Sequence, residues 1–257
     1  MMSEAGEATR GSGTAETSVE GGTVTQLRAV APVPDRSGRW TRSHDVTRRR
    51  PRWERRAKRV LDVIAAPAML VVLSPVLAAS AIAVRLDSAG PAVFRQTRVG
   101  ADGRHFTVLK LRTMFVDNDD RRHREYVGSL LDGQAERVNG LFKLADDPRI
   151  TRAGRVLRRL SIDEVPQLVN VVRGEMSLVG PRPPLPTEVE MYDNRQLGRL
   201  SGKPGVTGMW QVSGRSELGY REMIELDIEY FERWSFWLDL KILARTPRAV
   251  FSQRGAA

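Results

Sequence analysis

Apolar positions are distributed very unevenly along this chain. Residues 1–47 are rich in Gly, Ser, Thr and Glu and hold no sustained apolar period, so they bury too little to offset their chain entropy and are expected to form a disordered leader. They also lack the order of basic, apolar and small residues that marks a secretory signal. From Val63 to Val84, by contrast, 22 residues pass without a charge. As one straight helix they would reach about 33 Å, just enough to cross a bilayer. Two features argue against a simple crossing. Pro75 sits near the middle of the run, where its missing N–H and ring clash kink a helix, and Ser74 offers a hydroxyl to the freed carbonyl. Cations flank both ends, Arg55, Arg56, Lys58 and Arg59 before and Arg85, Arg95, Arg98 and Arg104 after, and such flanks both prefer the cytoplasmic side. A helix broken at Ser74–Pro75 that enters and leaves by one face satisfies both observations. A single span and the core helix of a soluble protein are the alternatives.

Shorter patterns follow. Val93–Val99 and Arg104–Leu111 are expected as two strands joined around Asp102-Gly103, a hairpin. Lys110 and Arg112 lie two apart, so they project from one face of the second strand and could clamp a phosphate or be plain solvated cations. Residues 115–132 are expected to be helical, with Asp117, Asp119 and Asp120 near the start, and 131–139 a loop. Thr151 is a plausible N-cap for a helix over 152–160, whose apolar stripe is Val156, Leu157 and Leu160. Ser161-Ile162-Asp163-Glu164 then fits a capping box, but Pro166 would fall inside the helix so started. Starting at Asp163 puts Pro166 in the tolerated first turn and both carboxylates at a helix N-terminus. Pro181, Pro183, Pro184 and Pro186 hold the next segment extended around Arg182, and a Gly-rich loop over 203–215 ends in Arg215. Residues 217–243 are expected to form one or two amphipathic helices whose crowded aromatics, Tyr230, Phe231, Trp234, Phe236 and Trp237, fit either a core or a lipid headgroup level, the latter favoured beside the apolar run.

Charge and composition narrow the chemistry. A formal net charge of +10 calls for an anionic partner without choosing among nucleic acid, membrane and nucleotide. With no Cys and three His, thiolate catalysis, Cys-based zinc and a Ser-His-Asp triad are disfavoured. Eight basic residues stand against Glu54 between Arg48 and Arg59, which alone could be a nucleic-acid arm or a solvated tail. The discriminating feature is Asp163-Glu164 among arginines. Polyanion binding has no use for two acids there, whereas a site that attacks a phosphate, or holds a metal against one, needs them. No nucleic-acid partner is therefore expected. A non-catalytic, membrane-tethered basic binding protein for anionic lipid or nucleic acid is the competing reading.

Eight motifs occur in one order: Lys58-Arg59-Val60-Leu61-Asp62, Ser74-Pro75, Gly90-Pro91-Ala92-Val93-Phe94-Arg95-Gln96, Lys110-Leu111-Arg112-Thr113-Met114, Asp147-Pro148-Arg149-Ile150-Thr151, Ser161-Ile162-Asp163-Glu164-Val165-Pro166-Gln167, Gly180-Pro181-Arg182-Pro183 and Pro204-Gly205-Val206-Thr207-Gly208. In these the chain resembles the bacterial sugar transferases that are monotopic polyprenyl-phosphate phosphoglycosyl transferases. The resemblance covers about Arg56 to Thr246. It implies a mainly α fold with a small β-hairpin (α+β), divided into the leader, a basic and apolar re-entrant membrane helix over 48–86, and a catalytic domain over 87–250 on the cytoplasmic face of the bacterial inner membrane. It implies transfer of a sugar 1-phosphate from a UDP-sugar to undecaprenyl phosphate with release of UMP, Asp163 and Glu164 as catalytic residues with Asp163 the nucleophile, Mg²⁺ held at this dyad with Glu164 either binding the metal or helping to activate the lipid phosphate, and Arg158, Arg182, Lys110, Arg112 and Arg215 as phosphate or nucleotide contacts. Membrane lipid is the implied surrounding, and homo-oligomerisation is left open. The sequence departs from larger relatives in having only the polar leader before the apolar run.

Overall fold

The structure is a computed structural model that describes residues 50–116, 147–214 and 218–251. The expected helix over 115–132, the loop over 131–139, the leader and Arg215 fall wholly or largely outside the described residues. In chain order the elements are helix α1 (Arg52–Asp87), strands β1 (Val93–Val99) and β2 (His105–Leu111), helices α2 (Arg152–Arg159) and α3 (Gln167–Arg173), strand β3 (Ser177–Val179), a single turn α4 (Pro186–Val189), strand β4 (Gly205–Thr207), and helices α5 (Met209–Ser213), α6 (Tyr220–Glu232) and α7 (Phe236–Phe251). Two pairings make up the sheet content of the described residues. β1 and β2 form the expected antiparallel hairpin, Val93 opposite Leu111 and Val99 opposite His105. β3 and β4 pair in parallel, a contact the sequence reading did not anticipate.

Helix α1 corrects one expectation. Pro67 and Pro75 both lie inside one uninterrupted helix of 36 residues. A proline at 75 removes the N–H that the carbonyl of Val71 would accept. Ser74 Oγ donates to that carbonyl at 2.7 Å, so the freed acceptor is satisfied and the helix continues. The hydroxyl does the job expected of it; the break itself is absent.

One face of α1 packs on the rest of the protein along most of its length. Ala66, with Leu61, Ala65 and Leu70, joins the main core of Leu168, Val171, Met176, Leu178, Tyr230, Phe231, Trp234 and Ile242. Further along, Leu77, Ala81 and Val84 join Leu111, Leu157 and Ile162 in a second cluster. The opposite face is bare: Val71 is 72%, Val72 74% and Leu86 83% exposed. Among the described helices α1 alone is long and apolar enough to cross a membrane.

Two cations of the basic lead of α1, Lys58 and Arg59, are engaged within the protein. Lys58 Nζ donates to Asp239 Oδ2 at 2.7 Å and to the carbonyl of Val179 at 2.8 Å. Arg59 donates to the carbonyls of Val171 and Val172 in the last turn of α3, where carbonyls run short of intrahelical donors. One turn on from Lys58, buried Asp62 accepts from the Ser177 hydroxyl and the Leu178 N–H. At the far end Asp87 accepts from the N–H of Ala153 at 2.8 Å. Both ends of the helix are thus tied to one body.

Candidate active site

The site is assembled from the end of β2 outward. Thr113, just past β2, accepts from the N–H of Thr151 at 3.0 Å, and Thr151 caps α2 by accepting from Gly154 N–H at 2.9 Å, as the sequence suggested. The first turn of α2 is pressed so closely on Thr113 that a Cβ on Gly154 would overlap that residue's carbonyl. This contact aims Arg158, one helical turn on, so that its Nε donates to Thr113 Oγ1 at 2.8 Å. Beyond α2 the chain turns sharply. Ser161 adopts the left-handed conformation, φ 55°, and its side chain caps nothing, so the capping-box reading does not hold. A 3₁₀ turn over Ile162–Glu164 follows, and α3 begins only after Pro166, which needs no hydrogen there. The carboxylates therefore sit on the turn ahead of α3 instead of in its first turn.

In a 3₁₀ turn successive side chains point about 120° apart. Asp163 is accordingly buried, 9% exposed, while Glu164 is half-exposed and accepts from Lys110 Nζ at 2.9 Å. Asn170 fixes α3 against β2 by donating to the Thr107 carbonyl at 2.7 Å and accepting from the Leu109 N–H at 3.2 Å, which sets Lys110 opposite the turn. Burial, and then the charge of Glu164, push the Asp163 carboxyl up to about 6 against the opposing pull of Lys110 and Arg158. Burial likewise lowers the Arg158 guanidinium from its ordinary value, opposed by Asp163 and Asp147. Asp147 holds Arg149 in a two-pronged pair, Nη2 to Oδ2 2.7 Å, and this hydrogen bonding keeps its own carboxyl below the usual range.

Arg182 stands exposed between buried Pro181 and Pro183, and its guanidinium has no partner among the described residues. The loop that carries it is clamped at three successive carbonyls. Arg199 donates to that of Arg182 at 3.3 Å, Arg98 to that of Pro183 at 3.1 Å, and the N–H of Val99 to that of Pro184 at 3.0 Å. Arg199 in turn makes an almost fully buried ion pair with Asp227 at 2.6 Å and bonds the Tyr192 hydroxyl at 2.5 Å. Burial, and then the positive charge of Arg182, bring Arg98 down to about 10, which leaves it charged at neutral pH.

Of the residues singled out in the sequence, Asp163, Glu164, Lys110 and Arg158 come together, and Arg182 bears on Arg158 through its charge. Arg112 takes a different place. β2 ends at Leu111, so strand alternation stops there, and buried Arg112 donates to the carbonyls of Ser88, Ala89 and Gly90, bracing the turn after α1. Arg98, Asn170, Arg199 and Asp227 were missed. Gln96 and Arg98 share one face of β1 by their spacing, and Arg98 does bond Gln96 Oε1, so that pair had a visible signal. The partnership of Arg199 with Asp227 had none.

No group of three or more His, Cys, Asp or Glu side chains among the described residues could hold a metal by itself. Two adjacent carboxylates still fit a cation of the Mg²⁺ type, which takes one or two carboxylates and completes its shell with water and phosphate oxygens. Ile162, before the carboxylates, packs on the cluster of Val84, Leu111 and Leu157, and Val165, after them, on the main core, so apolar residues anchor the turn on both sides.

A carboxylate pair flanked by Lys110 and Arg158, in one body with an apolar helix of membrane-spanning length, has the features of a membrane-associated enzyme. Residues 53–253 match the bacterial sugar transferase model, and the chain belongs to that family of enzymes. It is 44% identical over 199 residues to the UDP-glucose:undecaprenyl-phosphate glucose-1-phosphate transferase of Caulobacter vibrioides, covering 74% of this chain and 67% of that one. It is 40% identical over 200 residues to the exopolysaccharide production protein ExoY of Rhizobium meliloti, covering 78% and 88%. To the galactosyl transferase CpsE of Streptococcus agalactiae it is 43% identical over 201 residues, 78% of this chain but 43% of that longer one.

Proposed function

We propose that this chain transfers a sugar 1-phosphate from a UDP-sugar to undecaprenyl phosphate in two steps through Asp163, at the cytoplasmic face of the bacterial inner membrane, to initiate exopolysaccharide or glycoconjugate assembly. An Asp163 oxygen attacks the β-phosphorus of the donor, and the bond from that phosphorus to the bridging oxygen breaks. UMP leaves with the bridging oxygen, and an acyl phosphate links Asp163 to the phosphosugar. A phosphate oxygen of the lipid then attacks the same phosphorus, and the Asp163 carboxylate is released. Mg²⁺ held by Asp163 and Glu164 would neutralise the donor diphosphate. Arg158 and Arg182 bind phosphate oxygens, and Lys110 orients Glu164. The carrying observation is buried Asp163, flanked by Lys110 and Arg158, in one body with a helix of membrane-spanning length.

A re-entrant path for α1 is supported by its two ends. Asp62 and Asp87 both bond to the catalytic body, which a helix crossing to the far side of a bilayer would not allow without drawing that body into the lipid. The experiment is incubation of the membrane-bound protein with labelled UDP-sugars and undecaprenyl phosphate. UMP release, with protein labelled from a β-³²P donor when the lipid is withheld, is the expected result. Asp163→Asn abolishes both while leaving the protein in the membrane. Normal turnover by that variant, or release of UDP, overturns the reading.

A further inference from the structure

A cavity of about 490 Å³ lies at the turn end of the β1–β2 hairpin, bordered by the start of α1, the end of α3 and the end of α6. From His105, on its wall, to Lys110, beside the dyad, β2 runs about 17 Å, so the cavity is separate from the catalytic turn. Its lining is cationic on balance, with six Lys and Arg side chains against Asp62, Asp102 and Glu175. Arg55, Arg104 and Arg173, from three different segments, face it and have no hydrogen-bond or ion-pair partner among the described residues. The Nε of Arg55 is buried there without an acceptor. Arg59, held by the Val171 and Val172 carbonyls, and Lys203 each come within about 3.5 Å of where a Cβ on Gly174 would stand. Unpartnered guanidinium groups facing one cavity repel one another, and an anion seated among them offsets that cost.

We propose that this cavity is a second anion site, taking a phosphate-bearing group from an anionic phospholipid headgroup or from a soluble phosphate compound. Its level on α1 suits a headgroup. Arg55, Arg59 and Asp62 line it immediately before the uncharged run begins at Val63. Trp53 and Trp237 are exposed nearby, joined through Glu54, which accepts from the Phe236 N–H. The inference does not depend on the transfer chemistry, and its test does not read activity.

The full-length protein is floated with vesicles of phosphatidylcholine, alone or mixed with phosphatidylglycerol, and titrated calorimetrically with inorganic pyrophosphate. The variant is Arg104→Glu/Arg173→Glu. The control, Arg52→Glu/Arg56→Glu, makes the same charge change at exposed positions outside the cavity. A loss of about tenfold or more in partition to phosphatidylglycerol vesicles by the variant, well beyond that of the control, assigns a lipid headgroup. Loss of one pyrophosphate-binding event by the variant alone assigns a soluble phosphate. Equal effects of variant and control in both arms, or no effect of the variant in either, overturn the proposal. All four positions are exposed, so a folding defect is not expected, and unchanged thermal melting verifies that.

Discussion

Lys110 Nζ lies 2.9 Å from Glu164 Oε1, so the last turn of a β-hairpin strand sets the charge around the neighbouring Asp163. Asp163 attacks only as carboxylate, and its carboxyl titrates near 6, so kcat/KM should fall as pH drops through that value. Lys110 favours the ionised form. Lys110→Met should therefore move the acid limb to higher pH, because the carboxyl stays protonated longer. A uniform loss of rate at every pH, with the limb unmoved, would leave Lys110 a structural role only.

The Arg199–Asp227 pair supports the loop of Arg182 from below. Asp227→Ala strands a buried guanidinium and should cost about 3–5 kcal/mol of stability. In protein that remains folded, KM for the sugar donor should also rise, since Arg182 loses its brace. Chemical denaturation and donor saturation curves measure the two effects, and an unaltered KM would detach Arg182 from the donor.

Gly154 packs backbone to backbone on Thr113. Gly154→Ala should destabilise the protein by about 3 kcal/mol or more, because no flexible side chain can yield. A thermal shift within experimental error of the parent would show that α2 can lift away from Thr113.

The protein has no cysteine, so single Cys substitutions report topology cleanly. Arg56→Cys and Ala89→Cys, at exposed positions near the two ends of α1, should both resist a membrane-impermeant thiol reagent in intact cells and react after lysis. Labelling of one from outside would establish a single span.

Local sequence rules located what local physics controls. β1 runs from Val93 to Val99 as the hairpin signal around Asp102-Gly103 predicted, Thr151 caps α2, and the Ser74 hydroxyl takes the carbonyl freed by Pro75. The misses depend on contacts distant in sequence. β3 and β4 are three residues each, too short to carry a period, and exist because they pair with one another. Arg112 shares its spacing with Lys110, yet the end of β2 between them sends it to the turn after α1. Lys58, taken as part of a basic flank, is held by Asp239 from the other end of the chain. Ser161 fits a cap in sequence, but a left-handed backbone at that position rules it out.

Parallel pairing at β3 and β4 also limits how the protein can be altered. The N–H of Gly180 donates to the Thr207 carbonyl, that of Gly205 donates to the Pro181 carbonyl, and a Cβ on Gly205 would overlap the Gly180 nitrogen. Two loops far apart in the sequence are thus mirror halves of one mould. Grafting the Arg182 loop from a relative with a different donor should succeed only when the Pro204-to-Gly208 segment of that same relative is carried with it.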